Sequence, residues 1–356
     1  MNPSQQLVEQ LALHANINGI QFSNQVVYAP SEPICNTAKT DSLDNIASRF
    51  VVRGQFFEAI VLSHNEFNFA CARRDYLSIV NSVITFAEVC NQTGLSRLAV
   101  HALQVALEVD IQDLSLRSVL AARLQRTLSL VFSDSGKFDF ATSWLDQACA
   151  ELNGHRNDHF ANLLLADQGR LLSKRGEYFV GSGQTAAAAL LLEQAASALI
   201  TARARAKLAG GVRDLGEMAL SEAEIQRHLG NGSRALELAE EARLSGIRFG
   251  NPRLEVASML TESTVHLELG ERSIATEVLQ SLAARARSTA LHNMEAAALE
   301  ALSQIALDSG LARVAQDASQ RAAIAQRIFD SQCRNCRLFA IREWQPRIAE
   351  LTSLLD

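Results

Sequence analysis

The sequence predicts an all-α protein built as an array of about seven antiparallel helix hairpins. Three observations predict it. Proline breaks helix interiors, and none falls between residues 34 and 251. Ala and Leu, both strong helix formers, dominate that stretch. Above all, a glycine that closes an apolar helical stretch recurs with an alanine five positions later: Gly54 and Ala59, Gly94 and Ala99, Gly136 and Ala141, Gly230 and Ala235, Gly270 and Ala275, Gly310 and Ala315.

Successive closing glycines lie 40, 42, 94, 40 and 40 residues apart, so the wide gap holds one more unit. There Gly176 closes a helix over 159–175, residues 177–184 read as a loop insertion, and the next helix enters with Ala188, five after Gly183. Counting seven back from the closing glycines gives Ala47, Ala87, Ser129, Gly169, Ala223, Ser263 and Ser303, all small. Counting twelve forward gives Ala106, Ala148, Ala195, Ala242 and Ala322, with Glu66 and Leu282 as exceptions. Small residues at these offsets let two antiparallel helices approach closely and let each pair stack on the next. The glycine supplies the left-handed backbone that stops the first helix. A single hairpin cannot bury its apolar face, and stacking buries a continuous core.

This spacing resembles the tetratricopeptide repeat (TPR) family, whose hairpins carry a small residue late in the first helix, a turn glycine seven later, and alanines five and twelve beyond. The resemblance covers residues 41–330 and implies a right-handed superhelix. The period near 40 exceeds the family's 34, and the family's early tryptophan and unit-closing proline are absent. Long-period arrays of this kind resemble those in bacterial regulatory proteins: peptide-sensing regulators, LuxR-type activators and repeat-bearing diguanylate cyclases.

The ends depart from the repeat. Residues 1–40 combine a short amphipathic stretch (Leu7, Leu11, Leu13) with the run GIQFSNQVVYAPSEPIC, which reads as an extended arm capping the first unit. Residues 331–356 read as an amphipathic cap or connector helix with Ile348, Leu351, Leu354 and Leu355 on one face, started or kinked by Pro346.

Charge and motifs narrow the function classes. A net charge of −6 argues against direct nucleic-acid binding, and Arg203, Arg205 and Lys207 splay around a helix instead of forming a stripe. Residues 185–202 come closest to a membrane span, but Glu193 and Gln194 interrupt them, so they read as a buried helix and no membrane role is expected. The N-terminus lacks the basic start and apolar core of a signal peptide, and a chain with this much core needs no disulfides, which places it in the cytoplasm. Cys333 and Cys336 have redox-pair spacing without a strand–helix context or a second pair for zinc. The glycines of 176–185 lack the lysine of a phosphate loop. The eight histidines form no ligand pair on a helix face, His155 and His159 falling in a turn. No catalytic residue, metal site or cofactor is expected, and the chain reads as a non-enzyme.

A binding surface remains. In a stack of hairpins the first helices line the concave side. The family's partner contacts lie two, three, six, ten and thirteen residues before the turn glycine. Carried over, the resemblance implies Asn81, Glu88 and Asn91 in the second unit, Arg123 and Arg126 in the third, Arg170 and Lys174 in the fourth, Glu224 and Arg227 in the fifth. Arg123, Arg126, Arg170 and Lys174 would form a basic patch suited to a peptide's carboxylate, with asparagines suited to its backbone; the competing reading is solvated charge paired with Glu88, Asp134 or Asp167. The expected function is therefore a protein- or peptide-binding module, the sensory or regulatory part of a bacterial signalling protein. The alternative is a scaffold that forms a homodimer through its C-terminal helix.

Overall fold

A computed structural model describes residues 46–152, 158–211 and 214–355. The expected N-terminal arm (1–40) lies outside the described residues. Residues 45–356 form one compact unit. Its helices pair as α1 (Ile46–Val52) with α2 (Phe56–Arg73), α3 (Tyr76–Gln92) with α4 (Ser96–Leu107), α5 (Leu114–Asp134) with α6 (Phe138–Glu151), and α7 (Asp158–Gly181) with α8 (Thr185–Leu208). They continue as α9 (Leu215–His228) with α10 (Gly232–Phe249), α11 (Pro252–Glu268) with α12 (Arg272–Ser288), and α13 (His292–Asp308) with α14 (Ala312–Phe339). A π-helical turn, Ala340–Trp344, then leads into α15 (Gln345–Leu355). The described residues hold helices and turns and no strand. The described residues thus form an all-α array of seven helix hairpins.

One hydrogen-bonded device makes every first-to-second-helix turn. The residue after a left-handed glycine donates its N–H to the carbonyl five back: Gln55 to Phe50 (2.9 Å), Leu95 to Cys90 (2.7 Å), Lys137 to Phe132 (2.9 Å), Asn231 to Gln226 (2.8 Å), Glu271 to His266 (2.8 Å) and Leu311 to Ala306 (2.8 Å). The same residue's carbonyl then accepts the first helical bond of the next helix, from the alanine five past the glycine; Ala59 to Gln55 is 3.1 Å. The aligned alanines Ala59, Ala99, Ala141, Ala188, Ala235, Ala275 and Ala315 are all buried, as are the small residues seven before the glycine.

The fourth hairpin corrects the sequence reading. No loop occupies 177–184. Helix α7 continues to Gly181, and the turn is made by Gly183 (φ +77°), with Gln184 donating to Phe179 at 2.9 Å. Gly176 lies inside the helix, and a Cβ placed there would meet Leu192 at 3.0 Å. It is the small residue seven before the true closing glycine, while Gly169, one heptad earlier, packs equally closely on Leu199. The insertion lengthens both helices of the hairpin, to 24 residues each. In α8 it produces an apolar helix long enough to cross a membrane by length and composition, yet only 33% of that window is buried. The helix, expected to be buried, is two-faced: Ala188, Leu192, Ala195 and Leu199 pack inward, and Leu190, Ile200 and Leu208 are exposed.

The C-terminus does not form a separate element at 331. Helix α14 runs through that point to Phe339. Pro346 has no N–H to donate and its ring would collide with the carbonyl four residues back in a regular helix; the π-helical turn just before it relieves both constraints. This long rod folds back on the first two hairpins. Trp344, fully buried, stacks on Phe86 at 4.3 Å, lies 5.0 Å from Phe67 and donates its indole N–H to the Ile60 carbonyl at 3.1 Å. Phe329 packs edge-on to Phe56, Phe339 to Phe57, and Arg337 donates to the Thr93 carbonyl at 2.5 Å. The buried side of the rod, including Ile348 and Leu351, is therefore spent within the chain.

Trp344→Ala is expected to cost about 3–5 kcal/mol in urea denaturation, the range for deleting a buried aromatic ring, while Leu338→Ala on the exposed side of the rod changes stability by less than about 0.5 kcal/mol. Equal effects of the two would contradict the docking of the rod.

Candidate binding groove

The first helices α3, α5, α7, α9 and α11 present polar side chains in register. Because each unit repeats after about 40 residues, a residue on one first helix meets its counterpart on the next. Asp134 of α5 accepts from Asn91 of α3 at 2.6 Å and pairs with Lys174 of α7. Asp167 of α7, almost fully buried, pairs with Arg126 of α5 and accepts from Arg170 at 2.8 Å. Arg170 also donates to Ser221 of α9 at 3.1 Å and lies 3.7 Å from Glu217. Arg227 of α9 donates to Glu268 of α11 at 2.5 Å. The result is a ladder of ion pairs running along the array.

The ladder changes the meaning of the basic patch. Arg126, Arg170 and Lys174 have carboxylate partners, so the competing reading of paired charge describes these three. Burial works against the charge of Arg126, and the Asp167 carboxylate outweighs it, holding the guanidinium above its usual value. Arg123 differs. Its Nη1 is buried without a hydrogen-bond partner, and no carboxylate lies within ion-pair distance among the described residues. Burial and the neighbouring Arg126 lower its pKa. The Oδ1 of Asn81 is likewise buried and unpartnered.

Two further groups escaped the sequence reading. Arg253, in the first turn of α11, reaches across to α3 and donates to Gln92 at 2.8 Å, joining positions 161 residues apart. Burial lowers its pKa too. It precedes the offsets carried over from the repeat, and only the winding of the array brings the sixth hairpin to the second. Glu177 was hidden by the misplaced turn. Counted from Gly183 it stands six before the glycine, the position of Glu88 and Glu224 in their own units. It accepts from Ser173 at 3.1 Å and lies 3.7 Å from His228.

Between α5, α7 and α9 the groove deepens into a cleft of about 130 Å³, lined by Ser129, Ser133, Ser173, Glu177, Ser221 and Glu224 together with the paired Asp167, Arg170 and Lys174. Burial, reinforced by Glu177, raises the Glu224 carboxyl to about 7, against the lowering influence of Arg227, Lys174 and Arg170. Glu88 is also pushed up, by burial, despite Arg126, Arg253 and Arg123 nearby. Outside the groove, burial raises the pKa of Cys333 and Cys336, so both remain thiols and not the thiolates that nucleophilic chemistry requires. His159 lies 3.5 Å from Asp214; His155 falls outside the described residues.

No protein-family model matches the chain, and no curated protein matches it. Among solved structures, the chain is similar to a kinesin light chain protein of Podosopora anserina with nearly identical TPR-like repeats (19% identity, 61% of this chain and 97% of that one, TM-score 0.40). It is similar to the apo form of RapI (12% identity, 79% and 95%, TM-score 0.49). It is also similar to a signal transduction ATPase with a tetratricopeptide repeat sensor from Pyrococcus horikoshii (14% identity, TM-score 0.44), covering 85% of this chain and half of that one. At these identities the likeness is one of fold, and the repeat assignment rests on the register of the hairpins themselves.

The raised Glu224 carboxyl has a signed consequence. In the fold it keeps its proton to about pH 7, whereas in the unfolded chain it loses it near 4.5. Over that window the folded state binds more protons, so Glu224 makes stability fall as pH rises. Glu224→Gln, which cannot ionise, is expected to lose less melting temperature than the wild type between about pH 5 and pH 8. Parallel melting curves for the two proteins would refute this environment for Glu224.

Proposed function

We propose that the chain is a non-catalytic binding module whose concave groove takes a peptide or an extended segment of a partner protein. The observation that carries the reading is the hydroxyl-rich cleft between α5, α7 and α9: four serines and two incompletely neutralised carboxylates, Glu177 and Glu224, converge there from three successive units. Such an array of short donors and acceptors suits a backbone that brings its own amides and carbonyls. Asn81, Glu88, Asn91, Arg123, Arg126, Arg170, Lys174, Glu224 and Arg227 border the path of that segment.

The mechanism is selection among curvatures. A ligand that contacts several first helices favours the winding that presents them together, and the rod docked on the first hairpins senses any change in that winding. This suits a sensory or regulatory part of a bacterial signalling protein in the cytoplasm. A second reading, self-association through the C-terminal rod, draws on its outer side, where Ile324, Ile328, Leu338 and Ile341 are exposed among the described residues. Light scattering on the intact chain separates the two: a dimer that Ile324→Glu converts to a monomer supports assembly through the rod, and a wild-type monomer removes it.

Selection of peptides from a displayed random library on the full chain tests the groove. Peptides so obtained should lose about tenfold or more in affinity to Ser221→Trp, which fills the cleft, and to Glu224→Gln, and lose nothing to Arg205→Ala on the outer helix α8. Binders indifferent to Ser221→Trp would place the partner surface elsewhere.

A further inference from the structure

We infer that the outward face of α8 is a self-association surface, and that its occupant is the α8 of a second copy of this chain, laid antiparallel about a two-fold axis level with Leu199. The lengthened fourth hairpin gives α8 24 residues, against 14 in α6 and 18 in α10, the second helices of the flanking hairpins. One side of α8 is used within the chain, where Ala188, Leu192, Leu199 and Ala206 are buried. On the other side Leu190, Gln194, Ser197, Thr201, Ala204 and Leu208 follow one another in steps of four and three, the spacing of a single helical face, and all six are exposed. Leu190 is 57% exposed and Leu208 90%.

The charges on this helix are distributed unlike those of its fellows. On α10 and α14 outward charges of both signs pair along the helix, as Arg234 with Glu237, Arg243 with Glu240 and Arg321 with Asp317. Between Thr185 and Ala202 the only charged residue of α8 is Glu193, and its cations, Arg203, Arg205 and Lys207, all lie beyond. Arg203 is buried and paired with Glu222. Glu193, Arg205 and Lys207 make no ion pair among the described residues. Depletion of charge around exposed apolar side chains is the composition of an interface core.

Self-complementarity selects the partner. About an axis at Leu199, an antiparallel copy sets Leu190 opposite Leu208 of the second copy and Ser197 opposite its Thr201. Glu193 then stands level with Arg205 of the second copy, within reach of two long side chains, and the symmetry makes that pairing twice. Ile200, exposed beside the stripe, falls next to its own counterpart across the axis. Serine and threonine at the centre let the two backbones approach closely, and the leucines close both ends. A parallel copy would set Glu193 against Glu193. A lipid surface fits poorly, because Gln194, Ser197 and Thr201 occupy the middle of the face, where acyl chains would lie. The surface lies on the second-helix side of the array, so it does not depend on the reading of the serine cleft, which the first helices build.

Sedimentation equilibrium of the full chain at low salt tests the surface. The wild type should pass from monomer to dimer between about 1 and 100 µM, as suits a small interface. Glu193→Arg or Arg205→Glu alone makes both cross-axis pairs repulsive and should weaken the dimer more than about tenfold, while the two together should return it to within about threefold of the wild type. Ser197→Arg, which adds bulk and charge at the axis, should leave a monomer, and Ile324→Glu on the rod should change nothing. The three substituted positions on α8 are exposed, so circular dichroism melts of the variants should match the wild type. A wild type still monomeric at about 100 µM overturns the interface. So does a dimer that ignores the single reversals, one that the double reversal fails to restore, or one that only Ile324→Glu dissolves. Flotation of a monomeric wild type with phosphatidylserine-containing vesicles would replace the second copy with a lipid surface.

Discussion

The hydrogen bond that closes each first helix governs the rest of the molecule. One N–H, from the residue after a left-handed glycine, reaches a carbonyl five residues back, and this sets the angle at which the second helix leaves. The alanine five past the glycine and the small residue seven before it are both buried, and they meet directly where Ser303 donates to the Ala315 carbonyl and where Gly176 packs against Ala188. Because the turn is reproduced in every hairpin, so is the packing angle, and the repeat winds. The winding brings α11 opposite α3 and the C-terminal rod back to α2 and α3.

What the sequence made legible follows from this. The glycine and alanine offsets are local, so the hairpins, their order and the first-helix face could be read directly. The error at Gly176 is instructive. A helix period near 3.5 residues lets a heptad of insertion preserve every face, so Gly169, Gly176 and Gly183 all satisfy a pattern of small residues seven apart, and only the left-handed φ of Gly183 separates the turn from the packing contacts. The same ambiguity hid Glu177 and kept Arg170 on the correct face. Arg253 was illegible for another reason: its partner is 161 residues away, and no local pattern encodes a meeting made by the winding of three intervening units.

The groove shows how composition misleads when pairing is ignored. Read as a list, its side chains form a basic patch. Read as positions on adjacent helices, most of the cations neutralise acids one unit away, since ladder partners recur at 40 or 41 residues. Half-exposed pairs such as Lys174 with Asp134 contribute little to stability, about 0–1 kcal/mol each, and serve better to fix the lateral register of neighbouring first helices. Outside this ladder of cations and acids stand Arg123, Arg253, Asn81, Glu177 and Glu224.

The docking of Trp344 against Ile60 spans 284 residues. An open repeat array has only neighbour contacts, folds from any nucleus outward and frays from its tips. Here the C-terminal rod completes the burial of the first two hairpins, whose aromatic faces remain unsatisfied until the whole intervening chain has wound. The loop-closure entropy for that contact falls due at the end of folding, and it is modest because it grows only logarithmically with length. A quasi-one-dimensional string is thereby turned into a body whose two ends melt together, with a slow final step that a simple stack of the same hairpins would lack.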